Sequence, residues 1–142
     1  MPEGVLFLWF LTLLFWGSSP LLEKFALQAV DPWLALTLRT GFAALVLLGV
    51  SLGTGKFAQV SLLGWRDTLA LLGSGLLAGV LGMFTYFSLL KSGAASKIVP
   101  LTAAYPLVTA LLAYLFLGEK ISLTRLLGIV LTILGLIILQ RS

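Results

Sequence analysis

The chain has 142 residues, 60% of them hydrophobic and 10% charged, with a formal net charge of +4 and neither cysteine nor histidine. That composition excludes a soluble domain, disulfides and thiol chemistry, and it removes the common zinc, copper and haem ligand sets, so no metal or cofactor is expected. The nine basic residues are scattered, which fits contact with anionic lipid head groups and not a nucleic-acid surface.

Five apolar stretches follow one another at roughly 4–22, 33–55, 68–90, 98–118 and 121–140. About 20 mostly apolar residues cross about 30 Å of hydrocarbon. The stretches are too long and too unalternating for barrel strands, and backbone groups in lipid must be bonded within their own segment, so each reads as a helix. The expectation is an all-α integral membrane protein, one five-helix unit over residues 1–142 with no internal repeat.

The first stretch has no basic leader and no small-residue cleavage site, so it reads as a retained helix and not a signal peptide. Pro20 cannot donate to the carbonyl of Trp16, and Gly17 sits beside it, which predicts a kinked or broken helix. Trp9, Thr12, Trp16, Ser19 and Glu23 share one helical face, an unusual set for a lipid-facing surface. Glu23 and Lys24 either line a site or mark where water begins.

Asp31-Pro32 opens the second helix, where the missing proline N–H costs little. Arg39 lies about 9 Å inside that span at 1.5 Å per residue. A buried arginine is expected to face a cavity or pair with a carboxylate, and Glu23 is its natural partner; the alternative is snorkelling to the nearer face. The longest connection runs from Gly55 to Asp67, with Trp65 as an aromatic anchor at the interface.

The third stretch carries a small-residue ridge, with Gly75 and Gly79 spaced as GxxxG and Gly82 beside them. Such a ridge packs helices closely, within one chain or across a dimer seam. Tyr86 lies seven residues beyond Gly79 and is expected to reach a central cavity. In the fourth stretch Pro100 and Pro106 free the carbonyls of Ser96 and Thr102, and Thr102, Tyr105 and Thr109 share a face. Kinked helices that offer polar groups inside the membrane are how secondary transporters build a binding site. Gly118-Glu119-Lys120 makes a tight turn into the fifth stretch, which reaches bilayer thickness by starting near Ile121 with Arg125 snorkelling.

The basic residues do not choose a side. Five crossings put Lys56, Arg66, Lys120 and Arg125 on one face, and Lys24, Lys91, Lys97 and Arg141 on the other. Orientation follows the Lys/Arg imbalance of short loops, and here there is almost none. A chain that inserts both ways and pairs with an inverted copy of itself is the economical expectation.

The order and spacing of several short pieces resemble one family along nearly the whole chain. They are Trp16-Gly17-Ser18 with Lys24, Asp31-Pro32 and Arg39, then Tyr86, Ala94-Ala95-Ser96 and Pro100-Leu101. Tyr105-Pro106, Leu115-Phe116-Leu117-Gly118-Glu119, Gly128 and Gly135 complete the set. The chain looks like a single EamA-type unit of the drug/metabolite transporter superfamily, similar to its small bacterial and archaeal single-unit members. That resemblance implies half of an inverted-repeat fold in the cytoplasmic (inner) cell membrane. It implies an antiparallel homodimer that moves a small metabolite by rocking about a central cavity.

Where the superfamily's small multidrug exporters carry a carboxylate midway along helix one, this chain has Thr12, Leu13 and Leu14. If Lys24 and Arg39 face the cavity, an anionic or zwitterionic substrate is the better electrostatic match, with Glu23 the internal candidate for proton coupling. The expected substrate-binding set is Trp16, Ser19, Glu23, Lys24, Arg39, Tyr86, Thr102, Tyr105 and Thr109. A flippase for lipids or lipid-linked sugars would use a similar fold, and a non-transporting scaffold subunit is the other alternative. Enzymatic activity is not expected: Ser18 and Ser19 have no imidazole or well-placed lysine to activate them.

Overall fold

A computed structural model describes residues 3–120 and 122–141; Ile121, expected near the start of the last span, lies outside the described residues. Helix α1 covers Glu3–Ala26 and α2 covers Pro32–Gly53. A seven-residue 3-10 segment, Lys56–Leu62, fills the long connection. The third span is a continuous run of α3 (Trp65–Ser74), a π-helical stretch (Gly75–Gly82) and α4 (Met83–Ser92). The fourth is α5 (Ala95–Thr102) and α6 (Tyr105–Leu117), and the fifth is α7 (Leu123–Arg141). Among the described residues, five helical stretches of 23, 22, 28, 23 and 19 residues are therefore long and apolar enough to cross a membrane. The fold is all-α, as expected.

Local chemistry explains the boundaries. The Asp31 carboxylate accepts from the backbone N–H groups of Trp33 (2.9 Å) and Leu34 (3.1 Å), two donors that a helix start leaves unbonded. Gly118 ends α6 at φ +66°, left-handed backbone that a side chain makes costly.

The expected proline sites differ in how far they interrupt their helices. Helix α1 runs unbroken through Pro20, which is buried. A membrane helix absorbs a proline when packing and neighbouring groups make up for the lost backbone bond. The fourth span is the one that breaks, at Ala103-Ala104. Pro100 lies inside α5, while Pro106 stands in the first turn of α6 and starts a new helix there, where its missing N–H costs least.

The chain forms two compact units, one ending at Ser92 and the other beginning at Gly93. In the first, α2 and α1 both pack on α4, and Leu27, Leu36, Phe87 and Leu90 are buried. Trp33 stacks on Phe84 with centroids 4.3 Å apart. In the second, α5 packs on α7 and no described residue is buried. Most leucines, valines and aromatics along the spans are exposed, as expected where lipid or a partner chain supplies the apolar surroundings.

Candidate functional site

The carboxyl-terminal turns of α1 carry Ser19, Glu23 and Lys24, and the amino-terminal half of α2 carries Arg39. The Arg39 Nε lies 3.4 Å from Glu23 Oε1, the Arg39 side chain being 46% exposed and that of Glu23 only 9%. The Ser19 hydroxyl donates to the same carboxylate oxygen at 2.8 Å, across one helical turn. Tyr86 of α4 lies beside Glu23. The guanidinium of Arg39 lies 5.8 Å from the centre of the Phe87 ring, within cation–π range. One carboxylate thus gathers a serine, an arginine and a tyrosine from three helices.

Ser19, Glu23, Arg39 and Phe87 border an open groove of about 540 Å³, together with Leu22, Ala26, Ala29, Val30, Ala35 and Leu38; Tyr86 is not part of its lining. The alanines explain the space: α1 and α2 present small side chains on either side of the charged pair. Mostly apolar walls with a few convergent polar groups are the usual make-up of a small-molecule site.

Four residues singled out in the sequence therefore come together: Ser19, Glu23, Arg39 and Tyr86. Lys24 turns another way. Its ammonium donates to the backbone carbonyls of Leu90 (2.6 Å) and Lys91 (3.3 Å) at the end of α4. Trp16 lies on α1 with 69% of its surface exposed. In the second unit the Thr102 hydroxyl donates to the carbonyl of Val99 at 2.9 Å and that of Thr109 to Tyr105 at 3.3 Å, while Tyr105 is exposed. That unit has its own groove of about 330 Å³, with Pro106 on one wall and Glu119 and Arg125 beside it. A Cβ added at Gly75 or Gly79 would meet nothing within 4 Å, and at Gly82 it would meet only the Leu77 backbone. Among the described residues of the first unit, the small-residue ridge thus meets no neighbouring helix closely.

Sequence reasoning passed over Phe87 and Lys91. Phe87 and Leu90 recur three apart in α4 and are the apolar face of that helix, a signal obscured by the apolar residues around it. Lys91 donates to the carbonyl of Val30 at 2.8 Å, and a lysine in the last turn of a helix is itself a cue for carbonyl capping.

The described residues thus hold five helical stretches able to cross a membrane, with a charged pair facing a groove in the first unit, which makes this a multi-pass membrane protein. The chain matches the EamA-like transporter family over residues 3–141 and belongs to it. A Sinorhizobium protein described as an uncharacterised transporter in the cobO 3′ region is 29% identical over 125 residues, covering 88% of each chain. The LicB protein of Haemophilus influenzae is 29% identical over 127 residues, which is 89% of this chain and 41% of LicB. An uncharacterised protein of Methanocaldococcus jannaschii is 41% identical over 63 residues, 44% of this chain and 46% of its own. The matched stretch thus spans less than half the length of two of these three relatives. No solved structure matches.

Proposed function

We propose that this membrane transporter moves a small zwitterionic or anionic metabolite by alternating access, working as an antiparallel dual-topology homodimer. The Glu23–Arg39 pair facing the groove carries the reading. A paired carboxylate and guanidinium offer one partner to each end of a zwitterion, so a substrate with an ammonium and an acid group exchanges one ion pair for two. An isolated anion has to compete with Glu23 for Arg39 and gains less. Ser19 and Tyr86 add hydrogen-bonding groups at the same carboxylate, and the groove volume suits a small metabolite. Trp16, Thr102, Tyr105 and Thr109 are the further residues proposed to face substrate in the assembled transporter.

The homodimer is supported by the balanced charges and by the apolar surface each copy leaves uncovered. The open ridge at Gly75 and Gly79 suits the close approach of a neighbouring helix. Two inverted copies would place a pair of equivalent sites around a shared pathway, the geometry on which rocking transporters rely.

Thermal unfolding of the purified protein with a panel of amino carboxylates, dicarboxylates and quaternary ammonium ions tests the substrate class. Zwitterions are expected to stabilise most and cations least, and Arg39→Ala should abolish the effect while the protein stays dimeric on size exclusion. Stabilisation by cations alone, or an Arg39→Ala protein that still responds, would overturn the assignment. For the orientation, single cysteines at Thr54 and Ser92 should each label partially in intact cells with a membrane-impermeant thiol reagent. Labelling at one site only would rule out dual topology.

A further inference from the structure

The bonds made by Lys24 and Lys91 join the same two regions of the first unit from opposite directions. A helix leaves its last four carbonyls without intrahelical partners. At the end of α4 the Ser92 hydroxyl serves Leu89 at 2.8 Å, and the Lys24 ammonium serves Leu90 and Lys91. A cation is favoured there, at the negative end of the helix dipole. Lys91 returns the contact by donating to Val30, in the turn that follows α1. Leu27 and Leu90, which are 1% and 0% exposed, are buried in the same two segments.

Glu23 and Lys24 are consecutive on α1, so their side chains leave the helix about 100° apart. One points to the groove and the other to the end of α4. On α4, Tyr86 and Leu90 are one turn apart and share a face. Lys24 on Leu90 and Glu23 on Tyr86 are therefore two neighbouring rungs between the same pair of helices. Moving the first rung turns or slides α1 against α4 and displaces the second.

We propose that Lys24 is a positioning residue, not a substrate contact: by capping the end of α4 it holds Glu23 in register with Tyr86 and Arg39, and Lys91 secures the same contact from the other side. The proposal rests on the reading of Glu23–Arg39 as the binding pair, and it gives the basic residue beside that pair a different task from Arg39.

Reaction of the full-length protein with dicyclohexylcarbodiimide, an apolar reagent for carboxyl groups in membranes, reports on Glu23 once the labelled peptide is quantified by mass spectrometry. Arg39→Ala should raise Glu23 labelling severalfold, because the guanidinium that lies 3.4 Å from the carboxylate is gone. Lys24→Met should raise it severalfold, and Lys24→Arg, which keeps a cationic donor, should restore the low value. Lys24→Gln, which loses charge and reach but stays polar, is expected to behave like Lys24→Met and serves if that variant does not fold. Lower thermal stability with Glu23 labelling unchanged in both neutral variants would mean that Lys24 caps α4 and nothing more, which overturns the proposal. Unchanged labelling in Arg39→Ala as well would show that the binding pair itself is misassigned, and the proposal would fall with it.

Discussion

In the unit that ends at Ser92, Pro20, Leu27, Leu36, Phe87 and Leu90 are buried where α1, α2 and α4 meet, and Glu23, Arg39, Lys24 and Lys91 are bonded to one another or to backbone carbonyls. In the unit that begins at Gly93 no described residue is buried. Its ion pair, Glu119 with Arg125 at 3.9 Å, has both side chains more than half exposed. The first unit carries a small core that can hold a polar site in a fixed geometry. The second depends on its turns and on whatever apolar medium surrounds it. The proposed binding pair needs neighbours that keep it from relaxing, and the first unit has them in Phe87, Tyr86 and the lysine-capped end of α4.

The contrast breaks most readily at Phe87, which is 1% exposed. Phe87→Ala should destabilise the protein by about 3–5 kcal/mol through lost burial and the cavity left behind, read as a drop in the denaturation midpoint. Truncating exposed Leu112 in the second unit should change stability by less than about 0.5 kcal/mol; equal losses at the two positions would erase the distinction. A smaller effect is expected at Gly118, whose left-handed backbone should make Gly118→Ala cost about 1–2 kcal/mol, although a new Cβ would touch nothing within 4 Å. A neutral Gly118→Ala would mean that turn geometry is not what holds the second unit. The smallest effect belongs to Glu119→Gln. An exposed, salt-screened pair contributes about 0–1 kcal/mol, so its midpoint should stay within error of the wild type at high and low salt alike.

Much of this architecture is legible in the sequence. The five spans needed only hydrophobic length, because a bilayer imposes the same requirement on each helix wherever it packs. The start of α2 at Asp31-Pro32 and the turn at Gly118 are local chemistry, complete within a few residues. The pairing of Arg39 with Glu23 was also foreseeable, since an arginine inside an apolar span needs an anion and the adjacent helix offered one. Tertiary structure decided what rests on contacts distant in sequence. Pro20 sits in an intact helix while the fourth span breaks at Ala103-Ala104; nothing in the proline spacing distinguishes these outcomes. Lys24 looked like a partner for substrate, yet its ammonium lies against the end of α4, 66 residues away. A sequence names a charge and its helix face. Which carbonyl that charge reaches depends on how two helices pack, and that is settled by side chains far apart along the chain.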